Sequence, residues 1–389
     1  MPKNILITLL GAIFIALMGI GIIAPLMPIY ASRLGATGVG LGLMVAGFSI
    51  SRGVLQPFVG RASDSYGRKR FLVAGLLIYA LAGVTYAFAH TVEHLVIIRI
   101  FHGVGSAMVI PIAMAYIGDL APVGQEGRYM GMLNIALFSG VGGGPIIGGI
   151  FLDTLGMSSA FYAMALFSAL AVLLVVLFLP PRGPEQSAQD SLRLSAAFKE
   201  MAKDIRILGM LLSRMATMLI LVPSMAFLPI LMTRFMEATG IEVGIVVASR
   251  TLINAGLQRP FGRMVDNHSK VALLVSGSLL VSCAVSLVPL AGSLGELIVL
   301  FAAMGVGEAV VWPTLGALAV EGGRRYGQGS VMGVFNMAMS AGVLLGSMGA
   351  GAVMDLLGLS HAFFMTGAFL AAATVAAAFM IRRPPQASP

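Results

Sequence analysis

Charged side chains are scarce in this chain. Only 10% of its 389 residues are Asp, Glu, Lys or Arg, and 58% are hydrophobic, where a soluble domain carries about 25% charged residues. That composition excludes an ordinary water-soluble globular protein. Cysteine is nearly absent: Cys283 stands alone inside an apolar run, which excludes a disulfide framework and thiolate metal sites. No G-x-x-x-x-G-K-[ST] segment occurs, so the chain lacks the phosphate-cradling loop of a nucleotide-driven machine and implies no cofactor. Neither a nucleophile–base pair nor a metal cluster stands out, which argues against an enzyme. His90 and His94 have helical ligand spacing but sit at a loop with no third ligand, so no metal site is expected.

What the chain has instead is long apolar runs. Each is roughly 20 residues, the length that crosses a hydrocarbon core of about 30 Å. They are continuous rather than alternating, which selects helices over a barrel. Twelve runs lie near 5–29, 39–60, 71–89, 95–118, 129–152, 159–179, 207–232, 241–261, 271–290, 296–318, 329–354 and 361–381. The first is too long for a signal-peptide core and is read as a retained span. The net charge of +8 is distributed by topology. With a cytoplasmic N-terminus, eighteen of the 24 basic residues fall in cytoplasmic segments, two (Arg33 and Arg234) outside, and four (Arg52, Arg99, Arg214 and Arg250) within spans. The positive-inside rule then puts both termini in the cytoplasm, and the basic surplus is no nucleic-acid footprint.

The chain is written twice. GVGSAMVIP at 103–111 and GVGEAVVWP at 305–313 are 202 positions apart. The same offset matches Gln56, Gly60, Arg61 and Asp64 to Gln258, Gly262, Arg263 and Asp266, and Met130, Gly131 and Asn134 to Met332, Gly333 and Asn336. It also matches Gly140, Gly144 and Gly156 to Gly342, Gly346 and Gly358. A fixed self-offset marks a repeat. Six spans per copy return the chain to its starting side, so the copies are parallel. The expected fold is an all-α membrane protein of twelve transmembrane helices in two six-helix repeats, an arrangement used by transporters. The expected domains are 1–179 and 207–389. Segment 180–206 joins them as a linker with a short amphipathic stretch at the cytoplasmic surface.

Three stretches resemble the major facilitator superfamily, and the whole resembles its twelve-span drug:proton antiporter branch. GRASDSYGRKR at 60–70 is similar to the family loop pattern G-x-x-x-D-x-x-G-R-K, through Gly60, Asp64, Gly67, Arg68 and Lys69. The resemblance implies a latch that biases one carrier conformation. The second copy keeps Asp266 and Lys270 but loses the glycine and the Arg-Lys pair, so the latch is expected to be asymmetric. RIFHGVGSA at 99–107 is similar to the fourth-span pattern. GVGGGPIIGG at 140–149 resembles the fifth-span antiporter pattern, with Gly140, Gly144, Pro145, Gly148 and Gly149 as a gating helix whose glycine face is expected to meet span 8. Ordinary small-residue packing is the other reading of those glycines.

Of the 16 acidic residues, Glu308 alone falls near mid-membrane. A charge there costs at least about 2.5–3.5 kcal/mol, so such a residue is a functional candidate by default. Burial favours the neutral form of a carboxyl and a nearby guanidinium favours the charged form. A group poised between the two can load a proton on one side and release it on the other, and Glu308 is the candidate proton carrier. The competing reading is a structural ion pair, for example with Arg214 of span 7. Arg99, His102 and Ser106 share one helix face, which the repeat sets opposite the face holding Phe301, Met304 and Glu308. Arg99, His102, Ser106, Arg214, Met304 and Glu308 are the candidate cavity residues. Arg52 and Arg250 are read as structural or cavity-lining.

The expectation is a secondary transporter working by alternating access. It would export a small apolar or cationic compound in exchange for protons, as a monomeric, multi-pass protein of the cell membrane, in bacteria the inner membrane. Export or symport of one endogenous polar metabolite is the alternative. A non-transporting sensor or scaffold is the alternative of another class, and the very short loops count against it.

Overall fold

A computed structural model describes residues 3–24, 26–36, 38–180, 194–221, 223–238 and 240–382. Among these residues every regular element is a helix. The order is α1 Lys3–Ile23, α2 Leu26–Arg33, α3 Gly38–Tyr66, α4 Arg68–Tyr86, α5 Val92–Leu120, α6 Glu126–Leu155 and α7 Met157–Phe178. Then come α8 Leu194–Lys203, α9 Ile205–Leu219, α10 Leu228–Phe235, α11 Gly240–Asn267, α12 Lys270–Leu287, α13 Leu294–Tyr326, α14 Gln328–Leu357 and α15 Leu359–Arg382. A wide turn, Pro223–Phe227, separates α9 from α10. The linker contributes α8, and its residues 181–193 lie outside the described residues.

Eleven helical stretches among the described residues are long and apolar enough to span a bilayer. Besides the short α2 and α8, the helix not among them is α11, whose polar residues Arg250, Asn254 and Gln258 recur every fourth position and are all buried. A membrane helix with a polar stripe must turn it toward protein, because lipid offers no hydrogen bonds. Helix ends are closed by local chemistry. Thr91 caps α5 by accepting the His94 amide at 3.3 Å, and Asp204 caps α9 by accepting the Arg206 amide at 2.9 Å. Gly156 (φ 84°) and Gly358 (φ 96°) occupy the left-handed region between α6 and α7 and between α14 and α15. That conformation suits glycine and explains their recurrence at the repeat offset.

Contacts divide the chain into two compact units. The first comprises Met1–Ala121, Ile135–Ser191 and Gly323–Met337, and the second Pro122–Asn134, Leu192–Gly322 and Ala338–Pro389. In the first, α3 packs on α5, α4 on α5 and α7, and α1 on α7. In the second, α15 packs on α9 and α12. Without a hydrophobic driving force between helices in lipid, close approach depends on small residues, and the glycines show where. A side chain at Gly75 of α4 would stand 2.9 Å from the Gly105 carbonyl of α5, and one at Gly277 of α12 would stand 2.9 Å from the Gly307 carbonyl of α13. A side chain at Gly103 would stand 2.5 Å from the Phe48 carbonyl, and one at Gly305 would stand 2.5 Å from the Arg250 carbonyl. Each pair is related by 202 residues, so the sequence repeat is a repeat of helix crossings.

The glycine face of α6 has a different neighbour from the one expected. Gly140 approaches Phe14 and Leu17, Gly144 approaches Gly21, and Gly148 approaches Ile22, all on α1 within the same unit. In the second unit Gly342 approaches Met215 and Met218, and Gly346 approaches Leu219, on α9. These glycines therefore close-pack α6 on the first helix of its own unit, where span 8 was the expected partner. Pro145 lies on α6 with an exposed side chain, and the helix continues through it.

Candidate functional site

Glu308 sits on α13 in the second unit with 8% of its surface exposed. Its partner is Arg250 of α11, and Arg214 of α9 is not. Arg250 Nε donates to Glu308 Oε2 at 2.9 Å and Nη2 donates to Oε1, a bidentate pairing. Asn254, one turn along α11, donates to Oε2 at 3.3 Å. The approach of α11 and α13 at Gly305, one turn from Glu308, makes this reach short. Arg214 instead lies with its guanidinium 4.3 Å from the centre of the Trp312 ring and donates to the Met339 sulfur at 3.0 Å. Helix spacing alone favoured no particular arginine; the choice follows from which helix α13 crosses.

The carboxylate ends a row of amides. Asn134 of α6 donates to Gln258 at 3.1 Å, Gln258 donates to Asn254, and Asn254 donates to Glu308. All four are buried in the second unit. Every donor points toward the carboxylate, so the row is oriented by the charge at its end. Such a network is stable only when fully satisfied. Further along the same face of α11, Gly262 meets the Gly127 carbonyl, and Asp266 accepts the amides of Gly127 at 2.7 Å and Arg128 at 3.1 Å. These are first-turn amides of α6 that have no intrahelical partner. One face of α11 thus runs from the Glu308 pairing to the N-terminus of α6. Burial pushes the Asp266 carboxyl up from its ordinary value; Glu126 beside it acts the same way, while the two amides and Lys270 oppose.

The residues expected to form a latch make the equivalent cluster in the first unit. Asp64 accepts the amides of Gly329 at 2.8 Å and Ser330 at 2.9 Å, the first-turn amides of α14, and the Ser330 hydroxyl at 2.9 Å. Gly60 meets the Gly329 carbonyl. Arg68 pairs with Asp64 at 3.0 Å and bonds Asp119 through Nε and Nη2. Gly67, at φ 91°, allows the turn between α3 and α4 that presents Arg68. Lys69 donates to the Val176 carbonyl at 2.8 Å. The 202-residue offset carries Arg68–Asp119 onto Lys270–Glu321, a pair at 2.9 Å. The two differ in kind: the side chains of Arg68 and Asp119 are each 6% exposed, against 21% and 37% for Lys270 and Glu321.

The remaining cavity candidates divide between core and cluster. Met304 is buried in the apolar core cluster of the second unit, which also holds Phe301 and Phe363. His102 is fully buried in the first unit, edge-on to Tyr79 at 4.9 Å and Phe48 at 5.2 Å, with the Tyr86 hydroxyl 3.2 Å from Nδ1. Ser106 is buried against the Tyr79 hydroxyl. Arg99 lies 5.6 Å from the Phe48 ring centre and 6.0 Å from that of Tyr86. The sequence reading missed the roles of Asn254, Gln258 and Asn134. Their signal was a polar residue at every fourth position of a span.

These features define a helical multi-pass membrane protein with equivalent ion pairs and helix-capping carboxylates in its two copies. The family model of the Major Facilitator Superfamily matches residues 9–235 and 206–389, and the chain belongs to that family of membrane transporters. It is 30% identical to the MFS-type transporter MJ1560 of Methanocaldococcus jannaschii, over 95% of this chain and 96% of that protein. It is 36% identical to Multidrug resistance protein 1 of Bacillus subtilis, over 47% of this chain and 48% of that protein. It is 31% identical to the quinolone resistance protein NorA of Staphylococcus aureus, over 44% of each. The crystal structure of the human organic anion transporter MFSD10 has the same fold, with a TM-score of 0.84 and 19% identity over 97% of this chain and 100% of that one.

Proposed function

We propose that the chain exports small, partly apolar compounds in exchange for protons, with Glu308 as the proton carrier. The carrying observation is the buried Arg250–Glu308 pair at the end of an oriented amide row. Protonating Glu308 removes the charge that holds Arg250 and orients Asn254. Removing one partner's charge from a buried pair is worth about 3–5 kcal/mol. A membrane potential of 100 mV supplies about 2.3 kcal/mol per charge, and a pH gradient adds to it, so a proton taken up there has the energy to rearrange α11 against α13. The row through Gln258 and Asn134 carries that change toward α6. The moving bodies in this reading are the bundles 1–179 and 207–389, acting as a monomer in the cell membrane, in bacteria the inner membrane. The similarity to a multidrug resistance protein and a quinolone resistance protein supports export of drug-like solutes.

The test is a solute screen in proteoliposomes with an imposed pH gradient, comparing wild type with Glu308→Gln. The variant is expected to stay folded and lose pH-driven flux. Proton-coupled flux at the wild-type rate in the variant would remove Glu308 from the carrier role.

A further inference from the structure

The first unit holds two intramembrane cations that its own side chains leave without a counter-charge. Arg52 on α3 and Arg99 on α5 form no ion pair with any described residue. Nε and Nη2 of Arg52 and Nε of Arg99 are buried with no hydrogen-bond partner among the described residues. The helices that carry them cross closely at Gly103, where an added side chain would meet Ser51, the neighbour of Arg52, and the Phe48 carbonyl; Arg99 lies one turn away on α5, its guanidinium 5.6 Å from the centre of the Phe48 ring that packs on the buried His102. His102 adds a third unpartnered donor or acceptor, Nε2. Around the His102 ring stand Phe48, Tyr79 and Tyr86. In the second unit Arg250 has a carboxylate partner, Glu308, although its Nη1 is likewise buried without a hydrogen-bond partner.

Both arginines are partly exposed in the structure, and the guanidinium donors that are buried carry a desolvation cost unless something compensates them. The missing partner is an anion. A guanidinium presents a planar fork of donors that matches a carboxylate, and the flat aromatic walls suit an apolar ring attached to it. We propose that Arg52 and Arg99, with the His102 ring cluster beside them, form a binding site for an organic carboxylate with an aromatic or similarly flat apolar body. This rests on the transport reading above and names its substrate class: the exported compound is an amphipathic monoanion. The same two positive charges repel an organic cation from this position.

The experiment uses the full-length protein in detergent micelles and three probes sharing one ring system: 2-naphthoate, 2-naphthamide and 2-naphthylmethylammonium. Isothermal titration should show naphthoate binding at least about tenfold tighter than the amide, and the ammonium weaker than the amide. Arg52→Gln and Arg99→Gln should each remove most of the preference for the anion over the amide, and Arg52→Lys should retain part of it. An amide bound as tightly as the carboxylate by the wild type would overturn the proposal without recourse to any variant. Chloride competing with naphthoate at equal concentration would reassign the site to inorganic anions and overturn the organic class. In proteoliposomes, proton-coupled flux of a cation but not of naphthoate would sink the anion site while leaving the transport reading intact. Naphthoate binding in the stated order with no flux of any solute would do the reverse.

Discussion

Gly305→Ala probes the site through the backbone that positions it. The added methyl would stand 2.5 Å from the Arg250 carbonyl oxygen and 3.2 Å from its Cα. Ordinary contact needs about 0.9 Å more room at the oxygen, and both obstacles are backbone, so α13 and α11 must part. Moving them by that amount stretches the 2.9 Å Arg250–Glu308 bond to about 3.8 Å unless the side chains follow, which is beyond hydrogen-bond range. Overpacking of this kind costs about 1–3 kcal/mol, and losing the buried pair adds up to about 3 kcal/mol. Gly103→Ala is the internal reference. It meets the Phe48 carbonyl at the same 2.5 Å in the equivalent crossing of the first unit, and more closely still the Ser51 hydroxyl, which can turn away; no ion pair is at stake there. Gly256→Ala, on α11 with nothing within 4 Å of the added methyl, should be neutral or stabilising by about 0.5–1 kcal/mol. Thermal unfolding of the purified variants should rank Gly305→Ala lowest, Gly103→Ala next and Gly256→Ala at or above wild type. Gly305→Ala should also lose pH-driven flux. A Gly305→Ala protein that melts with wild type would refute the backbone contact and the reasoning built on it.

Other perturbations reach the rest of the network. Gln258→Leu leaves Asn254 without its donor and Asn134 without its acceptor, at about 1–3 kcal/mol each; a double-mutant cycle with Asn134→Leu, read by unfolding, should return a coupling of at least about 1 kcal/mol, and additive losses would mean the row is not connected. Arg68→Ala should destabilise by about 3–5 kcal/mol because it leaves Asp119 and Asp64 buried without their cation, whereas Lys270→Ala should cost no more than about 1 kcal/mol at its more exposed pair; equal melting temperatures would contradict the asymmetry. Asp266 has its carboxyl raised in the folded state chiefly by burial, so its contribution is present below the ordinary carboxylate range and is lost as pH rises through the raised value. The wild type should therefore melt progressively lower relative to Asp266→Asn between about pH 4 and pH 7, and a constant difference would count against it.

Much of the architecture was legible because lipid leaves the backbone few choices. Span count and repeat both follow from apolar length and recurring glycine, and the glycines recur because helix crossings such as Gly75–Gly105 and Gly277–Gly307 must be remade in each copy. Glu308 stands out as a candidate from cost alone. Its partner does not: Arg214 and Arg250 are equally plausible from spacing, and the choice depends on α13 lying against α11 at Gly305. The same limit hid the neighbour of the α6 glycine face. A small-residue stripe announces a close approach but carries no label for the helix that fills it, and Gly140 and Gly144 turned out to face α1. Met304 reads as a cavity residue by its offset from His102, yet in the second unit that position belongs to the apolar core cluster that also holds Phe301 and Phe363. Arg52 and Arg99 stand on different helices, and what brings those helices together is the α3–α5 packing.

The most direct measurement is infrared difference spectroscopy of the protein reconstituted in lipid, recorded as pH is lowered across the range in which flux is driven. The account predicts a protonated-carboxyl stretch that grows with acidification and is missing from Glu308→Gln. A wild-type spectrum indistinguishable from that of the glutamine variant throughout the range would mean that Glu308 never takes the proton.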